Sequence, residues 1–352
     1  MNDYYGLNLF TKAVLVSFFV LAVVFMVAGT IFGEQGPGRI LFAEEKLVTK
    51  IDDKRVNNWS VLYEANLPIG QPRSLAVSGD YLLLGDRGIK IIDLLDFKNQ
   101  QQLTLPVLVN SISVLDKRAY LATNNPNQEL AVVDIGRGLR PLLIGGFDLA
   151  GEQSALKAVV SEQGKLVVAK KTGFFIFNIM FPDRPVLIGQ LLSEDFQVND
   201  FVVVGERIVA AMSDGRLRII DITQARIPRL TASLDLQCGQ LKSITVKGER
   251  AYITCAGEQP GLVIVNIKNP FAPLSLSQTK IERVIKQIVF VDKKRAFFLL
   301  EGGSNNVQLW NLANDLLPQR EATVTAGDNP QVMIYNKKLR RLIVGNKVVR
   351  PE

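Results

Sequence analysis

The chain contains no histidine among its 352 residues. That removes the proton-transfer group of a Ser/His/Asp triad and of a Cys/His pair, and the imidazole ligands of a His-based zinc site. Cysteine is almost as scarce, with only Cys238 and Cys255. There is no GxGxxG turn, Walker loop, HExxH or EF-hand spacing, so these motifs offer no dinucleotide, triphosphate, zinc or calcium chemistry. Dense blocks of one charge are missing too. The 41 basic and 34 acidic residues leave a net +7 spread along the whole length. The basic residues are not interleaved with aromatics in a nucleic-acid module. Neither a cofactor nor a nucleic-acid partner is expected.

Long hydrophobic runs are absent with one exception. Ala13 to Phe32 is twenty residues without a charge, enough at about 1.5 Å per residue to cross a hydrocarbon core of about 30 Å. It outlasts the apolar region of a cleaved export signal, about 7 to 15 residues, so an uncleaved transmembrane signal-anchor is expected. Lys12, just ahead of the run, places residues 1–12 in the cytoplasm and the rest on the periplasmic or cell-surface side. Residues 33–56 carry Gly36, Pro37 and Gly38 and then mixed charges, which reads as a tether. Residues 57–352 form the folded domain. If that domain is exported, Cys238 and Cys255 are a candidate disulfide; two free thiols are the alternative.

What fills the domain is repetition. The phrase GLVIVNIKNPFAP at Gly261 to Pro273 is a run of apolar residues ending on Asn266, followed by a turn of Asn269, Pro270 and Pro273. It recurs as IKIIDL, LAVVDI, FFIFNI, LRIIDI and VQLWNL. The closing Asp or Asn stands at 93, 134, 178, 221, 266 and 311, in steps of 41, 44, 43, 45 and 45 residues. Such a period, made of strands and turns, marks a radial β repeat in which no unit buries both faces alone. Each unit resolves into four strands, as in Leu241 to Gly248, Arg250 to Gly257, Gly261 to Ile267 and Pro273 to Thr279. The first two are joined by short Gly, Asp or Asn turns and read as a hairpin.

Six complete units begin near Arg73, Asn110, Leu156, Val198, Leu241 and Ile285, and a seventh at Pro330 runs out of chain before its fourth strand. Ser60 to Leu67 has the character of that missing strand. The expected fold is therefore all-β: a seven-bladed β-propeller of four-stranded blades, closed by the N-terminal strand and preceded by one transmembrane helix. The repeated Asp or Asn is read as a turn cap that accepts backbone N–H groups.

These phrases and their downstream prolines resemble the LVIVD repeat, a family of bacterial and archaeal β-propellers often found in exported or surface proteins. GLVIVNIKNPFAP, LRIIDITQARIP and LAVVDIGRGLRP carry the resemblance best. VQLWNLANDLLP has Trp310 for the small aliphatic, and IKIIDLLDFKNQ lacks the proline. The resemblance covers most of Pro72 to Val349. It implies the fold and an exported or membrane-anchored setting, and no single reaction.

A ligand site is expected where the innermost strands begin, at the mouth of a central channel. Arg73, Asn110, Asn199, Lys242 and Lys286 stand six residues before each hairpin turn, with Lys157 close to that register. Four of the six are cationic, which suits a carboxylate, a phosphate or an acidic loop. The loops between second and third strands, including Asp86, Lys170, Lys171, Asp214, Glu258 and Gln259, open on the same end. The expected role is a membrane-anchored scaffold for an envelope protein or polymer. The alternative is a channel-mouth enzyme acting on a glycan or anionic small molecule, using carboxylates among Asp200, Asp214, Glu258 and Glu301.

Overall fold

The computed structural model describes residues 48–49, 61–67 and 71–351, except 137–139, 152, 304–305, 325 and 328. Among them every regular element is a β-strand, and no helix is long and apolar enough to cross a membrane. The expected cytoplasmic residues 1–12, the anchor 13–32 and, apart from 48–49, the tether lie outside the described residues.

The period of the sequence becomes a period of sheets. Lys157–Val160, Lys165–Lys170, Gly173–Asn178 and Val186–Leu192 pair antiparallel in chain order. Val198–Val204 to Arg229–Asp235 and Ile285–Phe290 to Gln319–Val324 repeat the arrangement. The sheet from Gln240–Lys247 to Leu274–Lys280 also takes Val48–Thr49 as a parallel strand on its outer edge. Between Ser74 and Phe147 six strands run on in one order. There Gln100–Leu115 pairs through its first part with Tyr81–Asp93 and, from Val109 on, with Arg118–Thr123.

The last three strands, Met333–Asn336, Arg341–Val344 and Lys347–Pro351, are completed from the other end of the chain. Val61–Asn66 lies antiparallel to Lys347–Pro351, with Val61 opposite Pro351. This is the closing strand that the sequence leads one to expect. Across the same seam Leu82, Leu84 and Ile92 pack with Ile343 and Val348, and Lys338 meets Asp80 at 2.6 Å.

Third strands such as Gly261–Asn266 are buried on both faces except at the last residue, because each sheet packs on a neighbour on either side. One cluster joins Val209 and Leu217 to Ile244 and Val263; the next joins Tyr252 and Ile264 to Ile288 and Trp310. A strand covered on both sides has no polar face to alternate, which is why these phrases read as continuous apolar runs.

The polar residue closing each phrase caps a turn. The side-chain Oδ1 atoms of Asp93, Asp134, Asn178, Asp221, Asn266 and Asn311 accept the backbone N–H two residues on, at 2.8 to 3.0 Å. The N–H just after each cap donates to a carbonyl in the hairpin turn of its own unit: Leu94 to Asp80, Ile135 to Lys117, Ile179 to Gly164, Ile222 to Glu206, Ile267 to Glu249 and Leu312 to Lys294. The first-to-second and third-to-fourth turns therefore share one end of the ring. In the Gly-Glu-Arg turns, Gly205 and Gly248 take φ of +56° and +58° at the first central position of a two-residue hairpin, where the glycine conformation is required.

Burial inside these clusters perturbs two phenols. Desolvation pushes the Tyr120 and Tyr252 hydroxyls up to about 12. A raised folded-state value means that the folded chain holds a proton the unfolded chain has already lost. Stability is thus intact below pH about 10 and falls as pH rises through about 12, by roughly 2–3 kcal/mol per tyrosine. Urea unfolding between pH 9 and about 12 is expected to show this fall, and Tyr120→Phe to remove part of it.

Candidate functional site

The predicted mouth residues sit on a recurring irregularity of the innermost strands. Pairing to the second strand skips a residue between Val109 and Ser111, between Val198 and Asp200, between Leu241 and Ser243, and between Ile285 and Gln287. The residues skipped are Asn110, Asn199, Lys242 and Lys286. Each is the extra residue of a β-bulge, released from the ladder and re-aimed. Lys157 remains paired, opposite Ala169, and Arg73 precedes its strand, held by its own N–H to Gly85 O at 2.8 Å.

Most of these side chains turn toward the next unit. Asn110 Nδ2 donates to Ala155 O at 2.9 Å, and Asn199 Nδ2 to Leu241 O at 2.7 Å. Lys286 Nζ donates to Asn329 Oδ1 at 2.8 Å and to Gln331 Oε1 at 3.2 Å. Lys157 Nζ reaches Asp200 Oδ1 at 2.7 Å and Phe201 O at 2.8 Å, and lies 5.7 Å from the centre of the Phe201 ring. The residue after the bulge does the same: Asp200 Oδ2 accepts from Ile244 N, and Gln287 Oε1 from Met333 N. Innermost strands of adjacent units splay apart, and these side chains bridge their backbones.

The expected ring of four converging cations is therefore reduced. Lys157 and Lys286 are held by neighbouring units, whereas among the described residues the exposed Arg73 and Lys242 side chains make no hydrogen bond or ion pair. Desolvation holds the Lys286 ammonium below the ordinary lysine range; nearby Glu301 raises it and Lys242 lowers it further. Lys242 is thus the bulged residue whose donors remain available, and it stands electrostatically close to Lys286.

Of the carboxylates considered for catalysis, two have structural partners. Asp200 accepts from Lys157, Phe201 N and Ile244 N, which leaves it fully satisfied. Asp214 pairs with Arg218 at 2.7 Å and accepts from Arg216 N. Glu258 and Glu301 are exposed. Among the described residues no group of three or more His, Cys, Asp or Glu is arranged to hold a metal ion. Two adjoining cavities of 190 and 460 Å³ lie at the opposite end, lined by Arg207, Asp221, Pro270 and Phe271 among others.

Lys170 differs from the sequence reading. It was expected beside Lys171 in an open loop. Lys171 is exposed, but the Lys170 side chain is 1% exposed and paired with Glu129, which is 0% exposed. Burial of this pair depends on a unit some forty residues away, and no local signal announces it.

Cys238 and Cys255 form a disulfide with Cα atoms 5.8 Å apart. It fastens the entry of the strand Gln240–Lys247 to its neighbour, where Leu241 lies opposite Cys255, and so braces the Lys242 bulge. Replacing both cysteines with serine is expected to lower the unfolding free energy by about 2–4 kcal/mol, read from urea midpoints of oxidised wild type and variant.

The family pattern described as the LVIVD repeat matches residues 69–96 and 238–278. The chain carries LVIVD repeats on a β-propeller. Solved structures similar to it are propellers of distant sequence. The Cps50 (Swd1) β-propeller domain from Myceliophteria thermophila aligns with a TM-score of 0.67 at 11% identity, covering 83% of this chain and 100% of its own. A chain of the Mitotic Checkpoint Complex aligns with a TM-score of 0.67 at 12% identity, covering 91% of this chain and 99% of its own. Among curated proteins no sequence relative matches. At such identities the likeness establishes the fold of this propeller alone.

Proposed function

We propose that this propeller has seven blades, is held on the extracytoplasmic side by the apolar segment Ala13 to Phe32, and acts as a binding scaffold for an envelope protein or polymer. The carrying observation is the bulge register. Side-chain ties stiffen the channel mouth, and the same register leaves Lys242 exposed with its donors available. A rigid rim bearing an unmatched cation suits preorganised capture of an acidic group on a partner, with specificity from the irregular second-to-third loops. The two carboxylates with structural partners weigh against acid/base catalysis there. The disulfide supports an oxidising compartment, and the uncharged twenty-residue run supports anchoring.

The test uses the full chain in intact cells, with a photo-cross-linking residue at Gln259 or Lys171 and with Lys242→Glu. A discrete adduct from the extracytoplasmic side, lost roughly tenfold in K242E with an unchanged melting curve, is expected. An adduct undiminished by K242E removes Lys242 from the site. Adducts confined to cytoplasmic proteins overturn the topology.

A further inference from the structure

The end of the ring opposite the mouth carries an apolar crown. Large side chains project from the third-to-fourth turns of five units: Leu95, Met180, Phe181, Ile227, Phe271 and Leu317. Met180, Phe181 and Phe271 are 73%, 70% and 71% exposed. A folded chain rarely leaves its largest apolar groups at the tips of turns, in five units on one end, unless that end meets an apolar or interfacial environment.

Charge on this end has one sign in excess. Four of its carboxylates are matched across adjacent units, Asp183 with Arg118, Glu206 with Lys165, Asp315 with Arg250 and Asp80 with Lys338, while Asp96, Asp116 and Glu162 are exposed in its turns. Beside the apolar tips, Arg184, Arg226 and Arg229 are exposed and make no ion pair among the described residues, and Lys293 and Lys294 share that condition in a hairpin turn.

Val48–Thr49 runs parallel beside Gln278–Thr279, toward the mouth end of that sheet, and the chain then crosses to the other end before its closing strand. Val61 lies opposite Pro351, and Lys347–Pro351 runs from a second-to-third turn toward the third-to-fourth end. The chain therefore enters its closing strand on the crowned end. The residues before it include Ala13 to Phe32, the one run in the sequence long enough to enter a bilayer.

We propose that the crowned end is a docking surface for an anionic lipid bilayer, into whose interface the apolar tips insert while the arginines and lysines meet headgroup phosphates. The inference rests on the anchoring reading for the presence of a bilayer, and its chemistry rests on the crown itself.

The experiment reconstitutes the full chain, with its native disulfide intact, in nanodiscs of phosphatidylglycerol and phosphatidylcholine or of phosphatidylcholine alone. A single nitroxide is carried on F271C, I227C or L317C, with Q259C on the opposite end as reference. In anionic discs the crown labels are expected to collide severalfold more with oxygen, and severalfold less with an aqueous nickel chelate, than the Gln259 label. The difference is expected to shrink in neutral discs and in R226E/R229E. Equal nickel access at both ends in anionic discs overturns the proposal. So does crown access that is high in purified discs and lost only in native membranes, which assigns the surface to a protein partner. If alkaline washing strips the chain from the discs, the anchoring reading fails separately, and the same labels are read with protein added to vesicles of the same lipids.

Discussion

Lys170→Met is expected to lower the unfolding free energy by about 3–5 kcal/mol, because it leaves Glu129 charged and buried without its partner. The pair lies between successive units: Glu129 precedes the strand Leu130–Asp134, and Lys170 ends the strand Lys165–Lys170. Around it the linker closes in. Lys170 Nζ donates to Leu149 O at 3.1 Å and Gly151 O at 2.5 Å, while Glu129 Oε2 accepts from Leu149 N at 2.8 Å. The double variant Glu129→Leu/Lys170→Met is expected to cost less than the sum of the single changes, since no bare charge remains. It should not return to wild type, because the Leu149 N–H and the linker carbonyls lose their partners. Urea unfolding of the four proteins gives the cycle. Lys338→Ala, at a pair whose lysine is 67% exposed, is the contrast and should shift stability by no more than about 1 kcal/mol. Additive single effects would mean that the buried ions act independently and that the linker is held by packing.

That network also marks where sequence reasoning stops. The period, the turn caps at Asp93 through Asn311 and the closing strand were legible because each is a local pattern: an apolar run, an amide or carboxylate, and a turn. Even the bulge register was visible, as polar residues six positions before each hairpin turn. What those residues do was not legible. Asn110, Asn199 and Lys286 look like channel-facing donors until the next innermost strand, some forty residues on, is brought alongside to receive them. Lys170 shows the same limit more sharply. It and Lys171 are adjacent and chemically identical, and the fold buries one and exposes the other. In a radial repeat each side chain's environment is set half by its own unit and half by a neighbour, and only the first half is written nearby.

Deleting Val348 to Glu352 is expected to destabilise the ring by about 3–6 kcal/mol, far more than five terminal residues ordinarily carry. Val348 and Val349 are 0% and 1% exposed, and each belongs to a different cluster, one across the seam with Leu82 and Ile92, the other with Leu342 and Met333. Their strand is also the middle member between Arg341–Val344 and Val61–Asn66. Removing it strips the closing strand of its only sheet partner among the described residues and reopens edges that closure had satisfied. The loss should spread beyond the deletion, because the seam joins the first and last units of a cyclic array. Thermal unfolding should begin earlier and broaden, as separate units lose the constraint that made them melt together. Deleting Glu352 alone leaves every paired residue in place and is the control. A truncated chain that melts with wild-type midpoint and sharpness would mean that packing between neighbouring sheets carries the stability and that the shared sheet merely seals the seam.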